Sequence, residues 1–286
     1  MNEGGSFINL GELSKPATVL IEKIAEATGG IFRPFQIRRV AQAEADAEII
    51  RGSAKIEIAD LERRALNRFI HEEAKKQSNI ESITQKALPT IEDKAHPENI
   101  EDDWISNFFD KCRIVSDDQM QNLWSKVLAG EANSPGRYSK RTVNLLASFD
   151  KEDAKLFCTL CSFVWYLGDE PIAMIYDEKA PIYANVGINE TTLKHLEAIG
   201  LLSYELSYMV CLSKHNLPPE ITLRYFGIHM KIIFRNPENN KFPIGRVVLS
   251  KAGRELTLVC DSAPRDGFKD YVQGHWGGSA RSITEV

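Results

Sequence analysis

Arg137, Lys140 and Arg141 crowd one short stretch, Gly130-Glu131-Ala132-Asn133-Ser134-Pro135-Gly136-Arg137-Tyr138-Ser139-Lys140-Arg141-Thr142, in which glycine and proline precede a serine suited to cap a helix. Cations beside a helix N-terminus are the ingredients of an anion site, because unpaired N–H groups and the positive end of the helix dipole favour negative charge. The stretch lacks the phosphate-loop spacing G-x-x-x-x-G-K-[ST], which excludes a loop of that class. It reads either as a grip for a phosphorylated group or as a well-capped surface loop. Lys231, Arg235, Lys241 and Arg246 form a second candidate group. They fall in residues 214–254, where eight Lys/Arg face two Asp/Glu, a balance suited to contacts with nucleic-acid phosphates.

The other reactive side chains suggest no chemistry of their own. Cys158-Thr159-Leu160-Cys161 has C-x-x-C spacing, yet no second ligand pair stands at zinc spacing and no βαβ pattern surrounds it, so it reads as two thiols filling an apolar helix. Histidines at 71, 96, 195, 215, 229 and 275 show neither H-E-x-x-H nor another tight ligand spacing. Asp102-Asp103, Asp117-Asp118 and Glu131 offer carboxylates for metal or acid–base work, but each stands where a helix start or a turn favours acid. No catalytic residue, metal site or cofactor is expected.

The elements that would position these residues are mainly helical, with an α+β C-terminal part. Ser14 and Pro16 start a first helix. A long helix is expected over 34–76: Pro34 suits its first turn, only Gly52 interrupts it, and Ala54, Ile58, Leu61, Ala65 and Phe69 recur on one face. Its first half is lined by Ala41, Ala43, Ala45 and Ala47. It serves either as an assembly element or as a helix folded against its own domain. A separate short helix is expected over 78–88, and 89–97 reads as a polar linker.

Further on, Trp104, Ile105, Phe108 and Phe109 form an aromatic helical stripe, and Asp117 opens a helix ending at Gly130. Ser139 caps the next helix, and Asp150 begins one running to Trp165. Beyond Gly168 short strands appear, and Asn189 starts a helix ended by Gly200. Residues 208–212, 230–234 and 246–249 read as strands, with 236–240 a hairpin turn between the last two. Ser250 caps a final helix. Leu193 to Leu202 and Gly245 to Leu256 resemble a winged-helix recognition helix and wing strand. The expected domains are a loose leader (1–15), an N-terminal helical region (16–88), a central helical domain (98–167), a winged-helix-like α+β domain (168–272) and a flexible tail (273–286).

Composition sets the outer bounds. With 286 residues, 43% hydrophobic and 26% charged, the chain suits about two globular domains. Apolar runs such as Phe163 to Leu167 are too short to span a bilayer. Met1 to Gly5 lacks a basic n-region and an apolar h-region, so a cytoplasmic protein is expected. Five scattered cysteines, an odd number, make no disulfide framework. The net charge of −5 hides an acidic stretch, residues 81–133, with eleven Asp/Glu against five Lys/Arg.

Leu123-Trp124-Ser125-Lys126-Val127-Leu128-Ala129-Gly130-Glu131, preceded by Asp103-Trp104-Ile105 and Phe108-Phe109 and followed by Ser134-Pro135-Gly136, resembles the bacterial domain-of-unknown-function family numbered 2806. Arg39 to Ala45 and Ala252-Gly253-Arg254-Glu255-Leu256 fit the same family. The Leu-Trp…Leu-Ala-Gly-Glu core is also similar to abortive-infection alpha proteins, which implies a setting in phage defence but carries over no catalytic residue. The expectation is a non-catalytic sensor, adaptor or regulator that forms a homo-oligomer or holds a protein partner. The alternative is a nucleic-acid-binding regulator using the basic C-terminal group, and an enzyme gripping a phosphorylated substrate through Arg137, Lys140 and Arg141 is a third reading.

Overall fold

Helix caps and prolines lay out the first half of the chain. The computed structural model describes residues 13–28, 60–213, 217–236 and 241–286, divided into two units, Met1–Val143 and Asn144–Val286. In the first unit, α1 (Lys15–Ala27) starts where Ser14 accepts the Ala17 N–H, and it buries Ala17, Leu20 and Ile24. Helix α2 (Asp60–Ala87) follows, then 3-10 turns at Leu88–Thr90 and Pro97–Asn99, α3 (Asp102–Cys112) and α4 (Asp118–Asn133). Asp117 caps α4 by accepting from the Gln119 and Met120 N–H groups. Trp104 stacks on Phe108, whose ring meets Trp124 edge-on, each at 5.1 Å. A polar seam fixes α2 against α4: Ser82 donates to Gln121 Oε1, Asn79 donates to the Arg113 carbonyl, and Gln121 donates to that of Val115.

The long helix expected over 34–76 is corrected here. The described helix is 28 residues, begins at Asp60 and runs through Lys76 to Ala87, absorbing the separate helix expected over 78–88. Nothing breaks it at Ser78, because no glycine or proline intervenes before Pro89 and Ile80, Ile83 and Ala87 continue a buried face. Residues 34–59, with the alanine-rich half and Gly52, lie outside the described residues.

Helix α5 (Lys140–Leu146) carries the chain across the division. In the second unit α6 (Lys151–Cys161) opens with a reciprocal cap between Asp150 and Asp153. It ends at Cys161, short of the expected Trp165, because Val164–Leu167 is strand β1. It turns through Gly168 (φ 61°) into β2 (Glu170–Ala173). Helices α7 (Pro181–Ala184) and α8 (Glu190–Ala198) lead to β3 (Leu202–Tyr204) and β4 (Val210–Ser213). Next come β5 (Glu220–Tyr225), β6 (Ile228–Phe234), β7 (Lys241–Gly245) and β8 (Val247–Leu249). Helices α9 (Lys251–Thr257) and α10 (Phe268–Trp276) and strand β9 (Ala280–Glu285) close the unit.

Five strands form an antiparallel sheet in the order β2-β1-β5-β6-β9, while β3 pairs with β8 and β4 with β7. This overturns the winged-helix reading. β3 and β8 do pair, but they are not a hairpin wing: four further strands lie between them in sequence, two in the large sheet and two in a ribbon of their own. The expected hairpin between 230–234 and 246–249 is absent too, since β6 bonds to β5 and β9. The segment expected as a flexible tail holds the end of α10 and the edge strand β9. Trp165, stacked on Tyr225 at 4.8 Å and met edge-on by Trp276 at 5.1 Å, centres the core. Gly245 (φ 105°) permits a close crossing, because a Cβ there would stand 2.4 Å from the Ile175 carbonyl oxygen.

Candidate functional site

The loop between α4 and α5 is organised by its own carboxylate. Glu131, in the last turn of α4, is buried, and its two oxygens accept the N–H groups of Gly136 (2.6 Å) and Tyr138 (2.9 Å). The Tyr138 carbonyl accepts Trp104 Nε1–H at 2.6 Å. Its ring lies against Gly130, where a Cβ would come within 2.8 Å of it. Ser139 caps α5 by accepting the Thr142 N–H at 3.3 Å. An incoming anion would need N–H donors that Glu131 already occupies, and α5, seven residues long, supplies little dipole.

Of the three loop cations, Lys140 pairs with Asp103 at 3.2 Å. Arg137 and Arg141 are exposed, with no ion pair among the described residues. The remaining carboxylates of interest are structural: Asp102 pairs with Lys23, Asp118 with Lys86, and Asp117 caps α4.

The C-terminal cations each have their own surroundings. Lys231 on β6 pairs with Glu220 on β5 at 2.9 Å. Arg235 donates through Nε to the Ala280 carbonyl (2.8 Å) and through its terminal nitrogen to that of Gly277 (3.2 Å), stapling β6 to the turn before β9. Arg246 lies 3.3 Å from Glu178, which is buried, and its own N–H donates to the Ile175 carbonyl. Burial and then the Glu178 charge push the Tyr204 hydroxyl up to about 12. Lys241, exposed on β7, is the one member whose side chain has no ion pair or hydrogen bond among the described residues.

Cys161 is buried, while Cys158 is half-buried beside Cys260, whose thiol, with burial, pushes the Cys158 thiol above its ordinary range. Sequence reasoning missed Cys260 because it lies about a hundred residues away. No group of three or more His, Cys, Asp or Glu suited to a metal occurs among the described residues. His275 stacks on Tyr176 at 4.1 Å, and burial holds it below the usual histidine range while the Asp177 charge opposes the shift.

One surface stands apart. On α2, Leu61 and Phe69 are 68% and 60% exposed, and Ala65 and Leu66 are exposed between them. Eighteen residues, about five turns at 3.6 per turn, separate Leu61 from Asn79, Ala65 from Ile83, Leu66 from Thr84 and Phe69 from Ala87, and the second member of each pair is buried. The face that α2 buries in its C-terminal half therefore continues, uncovered, through its N-terminal half.

Fold and surfaces together define a two-unit protein, helical and then α+β, whose clearest outward feature is an apolar helix stripe. The family described as protein of unknown function (DUF2806) matches residues 63–273, and the chain belongs to that family. The match runs from within α2 into α10, across both units. No curated protein and no solved structure matches the chain. Among the described residues no helix is long and apolar enough to cross a membrane.

Proposed function

We propose that the protein is a non-catalytic interaction protein, a cytoplasmic sensor, adaptor or regulator that takes a partner helix on the exposed stripe of α2. The carrying observation is the five-turn match between the uncovered residues Leu61, Ala65, Leu66 and Phe69 and the buried ones beyond them. Apolar area of this kind gains about 25 cal/mol per Å² when covered. At about 100° per residue, Arg64 and Arg68 lie to one side of the stripe and Arg63 to the other, while Glu62 and Glu73 fall within it, between Phe69 and Leu66. The partner we propose is the same helix of a second copy, laid stripe to stripe.

The stripe is short, about 13 Å from Leu61 to Phe69, so the self-association it drives is weak, in the micromolar range or above. Sedimentation or light scattering of the full chain tests it. Leu61→Ser with Phe69→Ser is expected to weaken dimerisation about tenfold without lowering the unfolding midpoint. Unchanged association in that variant refutes the role of the stripe.

Phage defence is the setting we propose on the likeness of the Leu123 to Glu131 core to abortive-infection alpha proteins, and a phage challenge with and without the protein decides it. The nucleic-acid alternative has less support, because Lys231, Arg235 and Arg246 already have partners inside the unit.

A further inference from the structure

The two edges of the five-stranded sheet are built differently. β2, at one edge, contains Pro171, which has no N–H to offer, and it lies beside β8 and α9. β9, at the other edge, contains no proline, and no strand pairs with its outer side among the described residues. Its register on β6 places Ile283 opposite Ile232 and Thr284 opposite Lys231, and the Val286 N–H donates to the His229 carbonyl at 3.0 Å. Bonding alternates along an antiparallel pair, so Ser282 and Thr284 also turn their backbone groups toward β6. The N–H and C=O groups of Ile283 and Glu285 consequently point away from the sheet, while Arg281, unpaired on β6, sits at the register shift between Ile233 and Phe234.

We propose that β9 pairs with β9 of a second copy, antiparallel, about a two-fold axis through Ile283. In this register Ile283 bonds to itself across the axis, with residues 281 and 285 of the two copies on either side. Arg281 of each copy then stands opposite Glu285 of the other. Opposite charges directly across a pair stabilise it and like charges oppose it. A slip of one residue would present backbone groups that β6 already uses, and among the shifts of two that remain the Arg281–Glu285 pairing favours this one.

The side chains are ready for this contact. Arg281 and Glu285 are exposed, and Arg281 has no ion pair among the described residues. Glu285 pairs with Lys269 at 3.0 Å in its own chain, and a carboxylate has lone pairs for a second cation. The interface is isologous and extends one sheet across two copies. It is separate from the α2 stripe and does not rest on it.

The test uses the full chain carrying Leu61→Ser and Phe69→Ser, so that the helix stripe contributes nothing, with sedimentation and amide hydrogen exchange as readouts. Arg281→Glu, which leaves the Glu285–Lys269 pair intact, is expected to weaken self-association about tenfold, and Glu285→Arg likewise. Arg281→Glu combined with Glu285→Arg restores the charge pairing and is expected to bring association back. In the chain with native β9, the amides of Ile283 and Glu285 gain protection as concentration rises toward about 1 mM, while those of Ser282 and Thr284 are protected throughout. Free exchange at 283 and 285 at that concentration overturns the proposal, as does a double charge reversal that remains as weak as the single ones.

Discussion

The α4–α5 loop and the β7–β8 junction each join a buried carboxylate to nearby cations, and they place the two in opposite order. In the loop, Glu131 reaches the backbone N–H groups of Gly136 and Tyr138, which leaves Arg137 and Arg141 outside in water. At the junction, Glu178 reaches the Arg246 guanidinium and draws that cation into the fold. What a buried carboxylate reaches first therefore decides whether a neighbouring cation remains available to a ligand. Net charge along the sequence cannot distinguish these cases.

Substitutions can break or sharpen this contrast. Glu131→Ala should be the most damaging, at about 3 kcal/mol, since it removes two charge-assisted bonds and leaves two backbone donors unpaired. Urea unfolding measures it, and a loss below about 1 kcal/mol would mean that the loop does not depend on its carboxylate. Arg246→Ala should cost less, about 2 kcal/mol, because it strands the Glu178 charge while water still reaches part of the site. Equal unfolding midpoints for Arg246→Ala and the native chain would remove the junction from the comparison. The smallest effect belongs to Arg137→Ala with Arg141→Ala, within about 0.5 kcal/mol. A larger loss would show that these arginines hold the loop as Arg246 holds the junction.

Local chemistry was the most legible part of the sequence. Ser14, Asp117, Ser139, Asp150, Asn189 and Ser250 all cap helices as their positions imply, because a cap depends on neighbours a few residues away. Long-range pairing was not legible. In β5, buried Ile221, Leu223 and Tyr225 alternate with exposed Glu220, Thr222 and Arg224. This clear strand pattern names no partner, and the actual partners are β1 and β6. The winged-helix reading failed for the same reason: the helix and the two strands exist, but what the intervening residues pair with is not a local property. Basic side chains were visible in the sequence, whereas the carboxylates and carbonyls that engage them were brought in by the fold.

The strand order β2-β1-β5-β6-β9 also has a kinetic consequence. Joining Tyr166 to Arg224 and Met230 to Glu285 closes chain segments of more than about fifty residues, an entropy cost met before the sheet gains its contacts. The α3–α4 aromatic core joins Phe108 to Trp124 across a much shorter stretch. The helical unit should therefore collapse first after dilution from denaturant, with the sheet assembling behind it as the slower phase.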